Sequence, residues 1–420
     1  MTNEIYGIDY LRRRLADKQT RVLLRYKYYE MKNNAQDFSS LAPEKFKGLK
    51  ETVGWCAKAV DSLADRLQFD EFQNDEFDLS EIFLSNNQDI LIDSAVLSAL
   101  ISACSFVYIR EDNGYPRLQV IDGSNATGII DPVTNLLTEG YAVLERDSMG
   151  VVKTEAYFMA GMTEIYSHGV LVQRIPNAAP YALLVPIIYR PDAKRPFGHS
   201  RISRACIAYT QTALRTIKRS EVSAEFYSFP QKYVLGLSED AEFNNRLAAI
   251  SSFLNFTKDG DGDHPIVGQF QQQSMTPYTE QLRTLASLFA GETGLTLDDL
   301  GFATENPSSA EAIKAGHENL RLTARKAQRT FGSGFLNVGY LGACLRDDAP
   351  YWRNQIYLTK PVWEPVFEPD AAMLSSIGDG AIKINQAVPG YFNSDNLRNL
   401  TGINESAMEA PVQNTGGVNE

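Results

Sequence analysis

The chain has 420 residues, with 40 basic and 52 acidic side chains and a formal charge of −12. That length gives room for two or three domains and a sizeable core. The acidic balance excludes a protein that wraps nucleic acid by counterion release, because such proteins present dense Lys/Arg faces. The hydrophobic fraction of 44% and the charged fraction of 22% are those of an ordinary soluble chain.

In chain order, Ile8 to Met31 reads as a basic, tyrosine-rich helix (Arg12-Arg13-Arg14, then Arg25-Tyr26-Lys27-Tyr28-Tyr29-Glu30). Such interleaving suits either nucleic acid or the docking of tyrosines on a partner. Pro43 to Leu67 reads as a second helix, leading into a short strand at Gln68-Phe69-Asp70. Asp61 and Asp65 lie one turn apart on it, as an acid/base pair or as a solvated face beside Lys58 and Arg66. Leu79 to Ala103 reads as one amphipathic helix, followed by a strand at Ser105 to Ile109. From there to about Tyr189 the pattern is of short strands and turns, among them Leu118–Ile121, Gly140–Leu144 and Val152–Phe158.

Ser200 to Tyr227 is helical, with Ile202, Cys206, Tyr209, Ala213 and Ile217 on one stripe and Arg204, Arg215, Lys218 and Arg219 assigned to the other face. A compact insertion follows, Gln231 to Gln273. It has a strand at Lys232-Tyr233-Val234-Leu235, a helix over Ala241 to Leu254, an Asp-Gly turn, and a strand at Pro265 to Phe270. Thr276-Pro277 starts a further helix with Tyr278, Leu282, Leu285 and Phe289 as its stripe. The loop Gly294 to Pro307 leads to Ser308, which with Glu311 forms a capping box for a long apolar-periodic helix reaching Leu345. Gly332, Gly334, Gly339 and Gly342 make its second half a place to bend or to pack closely. Pro361 to Pro369 is proline-rich, and helical segments at Asp370 to Gln386 and Asn393 to Leu400 precede a Gly/Asn-rich end that reads as disordered.

Asn306-Pro307-Ser308-Ser309-Ala310-Glu311-Ala312-Ile313-Lys314, preceded by Leu300-Gly301-Phe302, resembles the start of the long wing helix of the portal proteins of tailed double-stranded DNA bacteriophages. The order helix, small α/β insertion, helix, loop, long helix resembles the same family, as does Gly128-Ile129-Ile130-Asp131-Pro132. The resemblance spans about Tyr6 to Phe367. It implies a mainly helical α+β portal fold: a wing at 1–198, a stem helix at 199–228, a clip at 229–275, a return stem helix at 276–293 and a tunnel loop at 294–307. A long, kinked wing helix and return strand at 308–369 and a short crown-like region at 370–420 complete it.

The function so implied is a ring, of twelve subunits, at one capsid vertex. It is the channel through which double-stranded DNA passes non-specifically for packaging and ejection. The expected partners are the large terminase, the head-completion or tail adaptor, and the major capsid and scaffolding proteins. The expected place is the virion, after synthesis in the host cytoplasm. On this reading Leu297, Asp298, Asp299, Leu300, Gly301, Phe302 and Glu305 face the DNA, with Leu295, Leu297, Leu300 and Phe302 packing one subunit's loop on the next. The alternative is a capping loop whose acids pair with Arg321 or Arg325. Arg215, Lys218 and Arg219 lie on the stem, touching phosphates or pairing across subunits with Glu221 and Glu225. Lys232, Tyr233, Val234, Ile266, Val267 and Phe270 meet adaptor and terminase.

No catalytic residue, cofactor or metal is expected. Cys56, Cys104, Cys206 and Cys344 form no C-x-x-C pair, signal neither zinc nor a disulfide framework, and fit a reduced cytoplasmic origin. The opening Met1-Thr2-Asn3-Glu4 lacks the basic-then-apolar layout of a secretory leader. No run of about 18 apolar residues calls for a membrane span. Asp259-Gly260-Asp261-Gly262-Asp263 imitates half a calcium loop, but His264 and Phe270 stand where glycine and glutamate belong, so a tight turn fits better. There is no phosphate loop to support an ATPase. Two other readings stay open: another virion interaction protein, or an enzyme using Asp298, Asp299 and Glu305, for which carboxylates without histidine or a nucleophile are weak support.

Overall fold

The computed structural model describes residues 5–33, 51–228, 232–235, 266–269, 274–302, 314–367 and 371–401. The helices are α1 (Ile8–Tyr29), α2 (Trp55–Ala64), α3 (Leu79–Leu84), α4 (Gln88–Ser102), α5 (Arg204–Ser228), α6 (Thr276–Thr293), α7 (Glu318–Arg346), α8 (Ala371–Ala387) and α9 (Ser394–Thr401). The strands are β1 (Phe69–Gln73), β2 (Cys104–Asp112), β3 (Tyr115–Ile121), β4 (Ala126–Ile130), β5 (Leu137–Arg146), β6 (Val152–Met159), β7 (Met162–Ser167), β8 (Val170–Pro176), β9 (Leu184–Ile188), β10 (Lys232–Leu235), β11 (Ile266–Gln269) and β12 (Lys360–Trp363). The chain divides into two compact units: Met1–Tyr26, Val60–Arg201 and Glu318–Glu420 form one, Lys27–Ala59 and Ile202–His317 the other.

In the first unit, β2 is the middle strand of an antiparallel sheet ordered β3-β2-β9. Its first six residues are buried, as a central strand covered on both faces requires. Strands β4 to β8 form a separate antiparallel meander in sequence order. Leu11 and Leu15 of α1 pack with Tyr141, Val143 and Tyr157 on this sheet. Polar groups fix the same contact. Glu139 accepts the backbone N–H groups of Tyr6 and Gly7, each at 2.9 Å, and the Tyr157 hydroxyl at 2.6 Å. Glu155 accepts Arg12 and the Tyr141 hydroxyl. Glu164 accepts the Tyr166 hydroxyl and Arg174. All three glutamates are buried, so these donors replace water that the carboxylates have lost.

The single helix expected over Leu79 to Ala103 is two helices. Asn87 adopts a left-handed φ of 54° between them, a conformation asparagine tolerates better than most residues. The Asn86 side chain donates to Ile82 O at 2.8 Å, ending α3, and accepts Leu118 N–H at 3.0 Å, tying the break to β3. At the other end of α3, the Asp75 carboxylate takes the N–H groups of Leu79 and Ser80.

Helix α7 is the core of this unit. From Glu318 to Thr330 only a stripe is buried, but from Phe331 to Cys344 nearly every residue is. The glycines make this possible by close approach. A Cβ on Gly332 would lie 2.7 Å from Pro361 Cγ, one on Gly334 2.9 Å from Ile187 Cδ1, and one on Gly339 2.9 Å from Leu79 Cδ1. The helix runs unbroken through them, so of the two roles expected for these glycines the structure uses close packing. Around them Phe69, Phe335 and Trp363 form an aromatic cluster, and β12 pairs antiparallel with β1. Arg398 of α9 pairs with Asp70 and Glu71, holding the C-terminal helix to β1.

The second helix, expected over Pro43 to Leu67, runs from Trp55 to Ala64; residues 51–54 are not helical, and 43–50 lie outside the described residues. The capping box at Ser308 and Glu311, the helix expected over Ala241–Leu254 and the Asp259–His264 turn lie outside the described residues.

Candidate functional site: paired helices and the loop that follows them

In the second unit α5 and α6 lie antiparallel. The contacts Ser223 Oγ to Tyr278 OH (2.8 Å), Thr216 Oγ1 to Gln281 Oε1 (3.1 Å) and Ser203 Oγ to Glu292 Oε1 (2.7 Å) run in opposite chain directions. Ser203 also accepts the Cys206 N–H at 3.2 Å, so its hydroxyl caps α5. The inner faces are Cys206, Thr210, Ala213, Leu214 and Thr216 on α5 and Leu285, Ala286, Phe289 and Ala290 on α6.

A third piece of chain supports this pair. Trp55 packs on Phe289 with ring centroids 5.6 Å apart, Cys56 Sγ meets Thr210 Oγ1 at 3.4 Å, and Gln211 donates to the Tyr28 hydroxyl at 2.5 Å. Burial pushes the Cys56 thiol up to about 12, which keeps it neutral and unreactive. Sequence patterns did not show these supports, because each partner lies more than 150 residues away and carries no local motif.

Of the four basic residues placed on the outer face of α5, Arg204 is exposed as expected, but the remaining three do not share a face. Arg215 and Arg219 are exposed, but Lys218 is 2% exposed. Position 218 continues the i, i+4 row of Thr210 and Leu214, both buried, so helical geometry turns it inward. Near the same helix, burial raises the Glu221 carboxyl above its ordinary range, and Glu51 raises it further through its charge and a shared hydrogen bond.

After α6, Gly294 takes a left-handed φ of 71° and its N–H returns to Ala290 O at 2.8 Å, a C-cap that only glycine adopts without strain. Leu295 and Leu300 are buried within their own chain, while Leu297 and Phe302 are half-buried. Between them, Asp298 to Leu300 make a single 3-10 turn closed by Gly301.

Asp299 organises the turn. Its carboxylate accepts the Thr296 N–H at 2.8 Å, the Thr296 hydroxyl at 2.9 Å and His317 Nε2 at 3.1 Å. Burial alone pushes this carboxyl up, but the Thr296 donors and His317 outweigh it and hold the group below the usual carboxylate range. Asp299 thus pairs inside its own subunit, with histidine rather than with Arg321 or Arg325. Arg321 pairs instead with Glu318. An open cleft of about 490 Å³ lies beside the turn, lined by Val53, Trp55, Lys58, Ile217, Leu282 and Phe302 among others.

Strands β10 and β11 form an antiparallel pair with Tyr233 opposite Gly268 and Leu235 opposite Ile266; Tyr233, Leu235 and Ile266 are exposed. Lys232, Val234 and Val267 share this ladder. Phe270 and Glu305 lie outside the described residues. Among the described residues no cluster of three His, Cys, Asp or Glu side chains is placed to hold a metal, and no helix is long and apolar enough to cross a membrane.

No family model matches the chain. It is similar to the portal protein of Mycobacterium phage L5, 24% identical over 333 residues that cover 73% of this chain and 68% of the relative. It is similar to the portal protein of Mycobacterium phage D29 at the same identity and coverage over 335 residues. Among solved structures it matches a chain from the virion of a native gene transfer agent particle, 13% identical, with 84% of this chain and 90% of that chain covered and a TM-score of 0.42. A chain from the neck of the native particle, computed with C12 symmetry, matches at 11% identity and the same coverage with a TM-score of 0.43. The chain, with its helices and small antiparallel sheets, is thus similar to the portal proteins of two mycobacteriophages over nearly three quarters of its length.

Proposed function

We propose that the chain is a portal subunit: a closed ring at one capsid vertex, giving DNA its path in and out of the virion. The observation that carries this is the relationship, over nearly three quarters of the chain, to two phage proteins named for that role. The structure's support is indirect. Paired antiparallel helices leave outward faces bearing Arg215 and Arg219, and a two-stranded unit between them in the chain has exposed Tyr233, Leu235 and Ile266. Faces of this kind suit contacts between copies and with docking proteins.

On this reading the paired helices are the stem and the β10–β11 segment is the clip that meets terminase and then the adaptor. The loop from Gly294, held from within by Asp299, is the tunnel loop. The assignments of wing to 1–198 and crown to 370–420 follow the same scheme. The subunit supplies a passage and docking faces rather than catalysis, and packaging energy comes from a partner.

Capsids assembled with the chain are expected to fill with DNA when their terminase and ATP are supplied. A variant lacking Leu297 to Gly301 is expected to assemble but to retain less DNA. Full retention by that variant removes the loop from the DNA path. Filling of capsids that lack the chain overturns the portal reading itself.

A further inference from the structure

Helix α1 carries a second feature, unrelated to the paired helices. Arg14, Lys18, Arg21 and Arg25 are spaced i, i+4, i+7 and i+11, which places them in one row along the helix, spanning roughly 16 Å at 1.5 Å per residue. Arg195, on the turn after β9, faces the end of the row, where its charge is felt at Arg25. The row lies in an otherwise acidic chain.

These cations are held together without a compensating carboxylate. Among the described residues no ion pair joins Arg14, Lys18, Arg21 or Arg25 to an acid, although Asp17 lies on the same helix. Beside Arg195, the Asp192 carboxylate already accepts His199 Nε2 and the backbone N–H groups of Lys194 and Arg195, and the Arg195 guanidinium meets His199 Nδ1 at 3.3 Å. Lys18 is desolvated. Burial lowers its ammonium, and Arg14 and Arg21 lower it further, while the neighbouring Cys104 thiol is itself pushed up by burial and stays neutral. Like charges gathered in this way cost stability, and an anion placed over them relieves that cost.

The row is also ordered in advance. Lys18 Nζ lies 4.9 Å from the Phe197 ring centroid and 5.9 Å from that of Phe106, and the Arg14 guanidinium stacks 5.6 Å from Phe197. Arg25 donates to Ser102 O at 2.7 Å, at the C-terminal end of α4. Arg21 and Arg195 remain exposed. Two cations thus lie fixed on aromatic faces and two reach outward, so little side-chain entropy is left to lose on binding.

We propose that the Arg14–Lys18–Arg21–Arg25 row, with Arg195, is a contact site for the phosphate backbone of duplex DNA, carried by α1 rather than by the paired helices or the loop that follows them. Charge density selects this partner over an acidic polypeptide. Duplex DNA presents one phosphate charge per about 3.4 Å along each strand, so roughly five on a facing strand fall within the length of the row. An extended acidic strand turns a side chain to one face only every ~6.6 Å, and so offers two or three. Four of the five cations are arginines, whose planar forks match phosphate oxygens. The proposal goes beyond the portal reading.

The test is the anisotropy of a labelled 30-base-pair duplex of arbitrary sequence, titrated with the full-length protein across a salt series. Each phosphate contact contributes about 0.9 to the slope of log affinity against log salt. Combined Arg14→Gln, Arg21→Gln and Arg195→Gln is expected to lower that slope by roughly 2–3, and the exposed Arg21→Gln alone by about 1, keeping the test sound if the triple variant misfolds. Arg13→Gln with Arg110→Gln, two exposed arginines off the row, is the charge-matched control, expected to change the slope less. An unchanged slope and affinity in the triple and single variants overturns the proposal. So does displacement of the duplex by polyglutamate at equal charge, which assigns the row to an acidic protein. Equal competition by inorganic phosphate at matched phosphate concentration makes it a small-anion site and overturns it as well.

Discussion

The second half of α7 and the α5–α6 pair are both helical and both glycine- or alanine-lined at their closest contacts, yet they end differently. From Phe331 to Cys344, α7 is buried on nearly every side, with Gly332, Gly334 and Gly339 admitting Pro361, Ile187 and Leu79 to within contact of its backbone. Helices α5 and α6 bury one face each and leave the other to solvent, with Arg215, Arg219 and Leu288 exposed. The first arrangement is complete within one chain. The second has a finished inner face and an unspent outer one, as expected of a region that meets other copies or partners.

Changes that treat the two regions alike or apart sharpen this contrast. The largest effect is expected from Phe289→Ala. Phe289, on α6, is fully buried and packs on Trp55, so its loss is predicted to cost about 3–5 kcal/mol in denaturant unfolding, showing that the inner face is as much core as α7. Gly332→Ala comes next. Its methyl group meets the rigid Pro361 ring, and a cost of about 1–3 kcal/mol is expected; a neutral result would mean that α7 has slack the contacts deny.

Asp299→Asn is expected to cost about 1–2 kcal/mol at neutral pH, since it weakens three accepted hydrogen bonds. The sign with pH follows from the lowered carboxyl. Its contribution is fully present above the unfolded value of about 3.9 and is lost as pH falls through the lower folded value. Thermal melts of wild type and Asp299→Asn should therefore draw together as pH falls below about 4 and meet once it is below the folded value. A gap that persists there would show that the loop does not depend on this charge. The smallest effect is expected from Arg215→Gln with Arg219→Gln, within about 0.5 kcal/mol, because exposed charges contribute little to one chain's stability. A larger loss in the isolated subunit would mean that the outer face of α5 is already in use.

The order of elements was legible from the residues, because it rests on periodicity and on strong local punctuation. Thr276-Pro277 opens α6, and Gly294 closes it. The stripe of α7 and the close-packing role of its glycines were likewise visible in spacing. Other features depend on contacts that sequence distance hides. The break at Asn86 and Asn87 is sharp because Asn86 finds Leu118 and Pro116, some 30 residues on. Lys218 was assigned to the wrong side because its charge outweighed its position in the reading, whereas the row of Thr210 and Leu214 decided it in the fold. Asp299 looked like a free loop acid; Thr296 and His317 claim it, and no local motif announces His317 as its partner. The buried glutamates of the meander gave no signal either, since alternating strands carry acids on their wet faces as a rule.

The central claim, that the outer faces of this chain are completed by further copies of itself, is tested most directly by native mass spectrometry of the purified full-length protein over a range of concentrations. A single closed ring with a mass about twelve times that of the 46.8 kDa chain is predicted. Monomers or dimers alone, at every concentration and ionic strength, would contradict it.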